Sequence, residues 1–143
     1  MFIVNVEGAV FKGDKWLIIK RSEKEEHAGG MLSLVGGKVD LEGNSQDILE
    51  RTVKREILEE VNIEVKEKVT YLHNTSFVTD KGEHVINIVF LCEYAKGDAK
   101  PNCPDEVSDV LWLTYDEVMN HQDMPIWPKD SISHAENRLK ELT

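Results

Sequence analysis

Apolar residues gather into short runs separated by turn-forming residues, with one longer segment of a different rhythm. Residues 2–11 and 16–20 are rich in Val, Ile and Phe, and Gly13-Asp14 lies between them, so a hairpin is predicted. The charges and paired glycines of 22–30 have the composition of a mobile loop. A short apolar run over 32–39 is broken by Gly36-Gly37. Residues 63–78 and 84–94 read as strands around a Thr79-Asp80-Lys81-Gly82 turn, and Val110 to Leu113 as another. Between them, Leu49, Val53, Ile57 and Val61 recur every fourth residue, which predicts a helix over 45–62 with one apolar stripe. Asn44 or Ser45 is its expected cap, with Asp47 completing a box with Asn44. Asn62 stands where a helix commonly ends in a left-handed residue. Thr114 with Glu117 predicts a capped helix to about His121, Pro125 and Pro128 are expected to break the chain, and a last helix is expected over 131–142. With no repeat and no long linker, the pattern predicts a single α+β domain over 1–143.

Composition narrows the possible functions. Hydrophobic residues make up 41% of the chain, enough for a core. The formal net charge of −10 repels a phosphate backbone, so a nucleic-acid partner is not expected. Small phosphates remain compatible if divalent cations stand between them and the carboxylates. No stretch reaches the roughly 20 apolar residues that span a bilayer, so no membrane partner is expected. Cys92 in an apolar run and Cys103 between two prolines are too few for a disulfide framework, and the N-terminus reads as a strand rather than a leader; a cytoplasmic location is expected. The N-terminal strands also offer a surface on which a homodimer would pair.

The predicted central helix carries the chemistry. Glu56 and Glu60 are four residues apart and Glu59 is three from Glu56, so all three share a face beside the apolar stripe. Like charges so placed destabilise a bare helix and raise one another's pKa, and a hard divalent cation relieves both. Oxygen donors suit magnesium or manganese. Arg55, one turn before Glu59, is placed to orient that carboxylate, and small Thr52 leaves room on the same face. Gly36-Gly37 lets backbone approach the helix, and Lys38 adds a positive charge beside it. Arg21 and Lys20 stand at a strand end within reach of phosphate, and Trp127 offers a ring for a nucleobase or a packing anchor. The five histidines, His27, His73, His84, His121 and His134, show no zinc-ligand spacing.

Taken together, these residues resemble the Nudix hydrolase family. Arg55-Glu56-Ile57-Leu58-Glu59-Glu60-Val61-Asn62-Ile63 is similar to the second half of the family box, with Asn62 in place of glycine. Gly36-Gly37-Lys38-Val39-Asp40 resembles its opening, with Asp40 where Glu is common. The interval between the halves is four residues longer than usual, which places an insertion within Leu41–Gln46 and puts Asp47 at the isolated glutamate. The resemblance implies an αβα sandwich around a mixed sheet and hydrolysis of a nucleoside diphosphate linked to another group, water attacking phosphorus with magnesium or manganese. It implies Glu56 and Glu60 as principal metal ligands, Glu59 as a further ligand or the base, Arg55 as an orienting group, and the Gly36 carbonyl as a possible ligand. It also implies a further downstream acid, for which Glu106 precedes the Val110–Leu113 strand at a suitable distance. Two other classes fit less well: a Nudix-like sensor, disfavoured by the intact acidic set and the lack of a second DNA-binding domain, and a plain interaction module, which predicts no effect of metal on melting.

Overall fold

The computed structural model describes residues 1–25 and 28–143, so His27 lies outside the described residues. Eight strands form one mixed sheet: β1 (Phe2–Lys12), β2 (Lys15–Arg21), β3 (Leu32–Ser33), β4 (Val35–Lys38), β5 (Ile63–Val65), β6 (Thr70–Val78), β7 (His84–Gly97) and β8 (Val107–Thr114). Among the described residues three helices accompany it: α1 (Ile48–Val61), α2 (Tyr115–Asn120) and α3 (Ile126–Leu142). The central strand β1 runs parallel to β7, while the remaining pairs are antiparallel. The hairpin predicted at Gly13-Asp14 pairs only Phe11 with Trp16 and Lys12 with Lys15. Beyond it β1 leaves β2 and pairs through Asn5–Gly8 with β4. That split admits the glycine pair to the middle of the sheet.

Strand alternation sorts side chains to two faces. Val6, Val10, Leu17 and Ile19 join Val53, Ile57 and Val61 of α1 in one buried cluster. Ala9, Trp16 and Ile18 join Val118 of α2 and Ile132 and Ala135 of α3 in the other. The αβα layering expected from the resemblance is therefore present. Among the described residues no helix is long and apolar enough to cross a membrane.

Three boundaries differ from the sequence reading. Helix α1 begins at Ile48, three residues late, because Asp47 is left-handed (φ 57°) and makes no side-chain cap; no box forms with Asn44. The preceding loop is held instead by Arg51, which donates to the Gln46 carbonyl at 2.7 and 3.0 Å and pairs with Glu42 at 2.8 Å. Residues 66–69 interrupt the strand predicted over 63–78, and both pieces lie along the same side of β7 with a register shift in each. Helix α3 starts at Ile126, not Ser131: Pro128 falls in the first turn, where a missing N–H leaves no intrahelical bond unmade. The Thr114–Glu117 capping box is formed at both hydrogen bonds, 2.9 and 3.2 Å. Asn62 is left-handed, φ 64°, as its place at the helix end predicts.

Candidate active site on the acidic helix and an adjoining cavity

Helix α1 lies close against β1 and β4, and Gly37 sets how close. A Cβ at Gly37 would overlap the Glu56 carboxylate, so only glycine permits that carboxylate to lie against the strand. Glu60, one turn on, is buried at 5% exposure, and its Oε2 has no hydrogen-bond partner. An orphaned, buried carboxylate oxygen is costly. Burial first, then the charges of Glu56 and Glu106 and a hydrogen bond with Glu56, push the Glu60 carboxyl up to about 9. Burial likewise raises Glu56, with Glu59 and Glu106 adding to the effect and Arg55 opposing it. Glu56 and Glu60 thus act on each other, and both hold a proton more readily than a free carboxyl.

The acids do not all converge. Arg55 Nη1 lies 3.4 Å from Glu56 Oε1 and 3.5 Å from Glu59 Oε2, and its Nη2 is 3.7 Å from Asp40. Glu59 is half exposed and sits on the arginine side of the helix, whereas Glu60 points inward. Among the described residues no three Asp, Glu, His or Cys side chains are arranged to hold a metal. The inner pair still fits one: its donors are oxygens, one lacks any partner, and the glycine beside it leaves the approach open. Thr52, expected to open the acidic face, is instead buried, and its hydroxyl donates to the Ile48 carbonyl at 2.6 Å.

Glu106 reaches the site through the way its loop closes on the end of α1. Asn102 donates from its backbone to the Glu60 carbonyl (2.8 Å) and from its amide to the Glu59 carbonyl (3.1 Å), and Lys100 N–H donates to Val61. These contacts satisfy carbonyls that a helix end leaves unpaired. They bring Glu106 near enough to act on both Glu56 and Glu60. Sequence reasoning missed Asn102 and Lys100, since capping across 40 residues has no local signal.

A cavity of about 500 Å³ lies on the α3 face of the sheet. Arg21, Lys38 and Trp127 all line it, with Phe77 and Asp130. Trp127, half exposed in the first turn of α3, is therefore not a packing anchor. Strand β4 joins this cavity to the acids: successive residues point to opposite faces, so Gly37 meets Glu56 while Lys38 lines the cavity. Arg21 links them too, lining the cavity and acting electrostatically on Glu60. The floor holds a polar group that sequence reasoning passed over. Asn5 Nδ2 donates to Asn87 Oδ1 at 2.8 Å, and Asn87 Nδ2 donates to Glu7 Oε1 at 2.8 Å. Alternating polar residues on β1 were its only trace in the sequence.

Comparison with known proteins agrees with this geometry. An NAD-capped RNA hydrolase, NudC, of Pectobacterium atrosepticum is 29% identical over 113 residues, covering 77% of this chain and 38% of that protein. The chain thus spans about two fifths of the length of that curated relative. The crystal structure of a MutT NUDIX hydrolase from Burkholderia pseudomallei superposes with a TM-score of 0.79 at 27% identity, covering 94% of this chain and 98% of that one. A MutT protein from Methanosarcina mazei gives a TM-score of 0.78 at 22% identity, covering 97% and 96%, a likeness of fold. The NUDIX domain family model matches residues 1–135, which contain the glycine pair, the acidic helix and the cavity floor, and the chain belongs to the NUDIX domain family.

Proposed function

We propose that residues 1–143 form a single metal-dependent Nudix hydrolase domain. It cleaves the diphosphate linkage of a nucleoside triphosphate or another nucleoside diphosphate derivative by attack of water on phosphorus. The observation that carries this is the buried Glu56–Glu60 pair with its unpartnered oxygen, set beside a cavity lined by two cations and an aromatic ring.

Glu56 and Glu60 would hold magnesium or manganese, with the Gly36 carbonyl and Glu59 as further donors. Such a cation, when bound, neutralises phosphate charge and lowers the pKa of water. The chain's own groups supply positioning, the main need of phosphoryl transfer. Trp127 stacks on the base at the cavity rim. Arg21 and Lys38 draw the phosphates from the cavity past β4 toward the acids. Arg55 fixes Glu56 and Glu59 in orientation, leaving Glu59 or Glu106 to accept the proton of the attacking water. Two unpaired cysteines, one buried, suit the reducing cytoplasm.

The test is phosphate or pyrophosphate release from a nucleotide panel with magnesium. Since the Pectobacterium relative is an NAD-capped RNA hydrolase, the panel includes NAD. Turnover is expected for at least one nucleotide. A Glu59→Gln, Glu60→Gln double variant with undiminished turnover would remove the chemistry from this helix.

A further inference from the structure

The polar floor of the cavity does more than satisfy its own members. Asn5, Glu7 and Asn87 project from the parallel strands β1 and β7 to the same sheet face, and all three line the cavity. Glu7 Oε1 receives the Nδ2 of Asn87 at 2.8 Å. That fixes the Asn87 amide and turns its Oδ1 toward Asn5, whose Nδ2 donates to it. Neither amide is free to flip, so the floor has a set polarity. One Glu7 lone pair is taken by Asn87, and the half-buried carboxylate keeps surface toward the cavity. Burial raises the Glu7 carboxyl above its usual range, opposed by the hydrogen bond from Asn87 and then by the charge of Arg21 on the cavity wall. The second oxygen of Glu7 is thus the acceptor that the floor turns to the cavity.

Building on the nucleotide-hydrolase reading above, we propose that Glu7, held by Asn87 and Asn5, selects a nucleobase that presents two adjacent N–H donors, which among the common bases is guanine. The Watson–Crick edge of guanine carries N1–H beside the N2 amino group, and both can point at one carboxylate. Adenine and cytosine each set a ring-nitrogen lone pair beside their amino group, and that lone pair faces the carboxylate. Uracil offers a single N–H between two carbonyls. A desolvated hydrogen-bonding site rejects a ligand that leaves its groups unpaired. Trp127 at the rim covers the base face, and Arg21 and Lys38 lie on the side leading to Glu56 and Glu60.

Steady-state kinetics with magnesium should be run on GTP, ITP, ATP, CTP, UTP and NAD. Calorimetry should compare non-hydrolysable imido analogues of GTP and ATP, with both the α,β and the β,γ bridging oxygens replaced. GTP is expected to exceed ATP in kcat/KM by about 10- to 100-fold, as a bidentate base contact gives. ITP, lacking the 2-amino group, should fall between them. Glu7→Gln replaces one acceptor oxygen with a donor and should reduce the GTP-to-ATP ratio at least tenfold, through KM. A flat base preference, or one for adenine nucleotides including NAD, with turnover intact overturns the floor assignment and leaves the hydrolase standing. Guanine-selective binding of the imido analogue with no turnover of any nucleotide does the reverse. Absence of both binding and turnover overturns both. Should Glu7→Gln fail to fold, equal affinity of the wild-type protein for the two imido analogues still refutes the selection.

Discussion

Glu60 offers the sharpest quantitative test, because replacing it by Gln should make the metal-free protein more stable. In the unfolded chain this carboxyl releases its proton near 4.5, and in the fold it holds it to about 9. Between those values the folded state binds more protons than the unfolded, so stability falls as pH rises. Each pH step in that window is worth about 1.4 kcal/mol. The loss is thus under about 1 kcal/mol at pH 5 and about 3 kcal/mol at pH 7. At 5% exposure, little solvent screening reduces it. Glu60→Gln keeps the shape and removes the titration. For a domain of this size about 3 kcal/mol corresponds to roughly 10 °C in Tm. Thermal melts of both proteins in a chelator, from pH 5 to pH 8, should show the variant pulling ahead as pH rises. Magnesium should raise the wild-type Tm, because binding to the folded state alone stabilises it, and should do much less for the variant. A Tm difference that stays constant from pH 5 to pH 8, or a variant below wild type throughout, would refute the account of a carboxyl that must keep its proton to be buried.

Other substitutions separate shape from charge. Gly37→Ala places a methyl against the Glu56 carboxylate. It should cost about 1–3 kcal/mol in denaturant melts and reduce the magnesium-induced rise in Tm. Trp127→Ala removes a half-exposed ring at the cavity rim, so Tm should hardly change. KM for the preferred nucleotide should rise about 5- to 100-fold, as loss of base stacking does, with kcat much less affected. Asn62→Ala places an ordinary side chain at φ 64° and should cost about 1 kcal/mol, while Asn62→Gly should not destabilise the fold; chemical denaturation measures both.

What could be foreseen from the sequence follows the range over which each signal acts. The acidic pattern of α1 repeats within one helix, so Glu56, Glu59 and Glu60 are legible as neighbours, but Glu59 lies on the arginine side and only Glu56 and Glu60 face each other. Which of them turns inward was not visible. Glu60 is buried because a loop 40 residues later closes over it, and Glu59 is drawn outward by Arg55. The convergence of Arg21, Lys38 and Trp127 on one cavity depends on β1 leaving β2 for β4, and a hairpin pattern gives no hint of that exchange. The start of α1 was misjudged because Arg51, rather than a cap, secures the loop before it. The start of α3 is hidden because Pro128 has the look of a breaker in sequence, although its position in the first turn suits it.

The parallel pairing of β1 with β7 joins residues about 80 positions apart, Asn5 with Asn87 among them. Such contacts form late, because a long loop must close before any bond rewards it. On a ribosome the acidic helix emerges well before β7 and before Asn102 and Glu106, whose arrival encloses Glu60. Until then its carboxylate stays hydrated and behaves as an ordinary surface acid. The proposed cation site and the proposed guanine floor therefore come into being together with the finished sheet. A truncated or nascent chain would carry the complete acidic motif and still have neither.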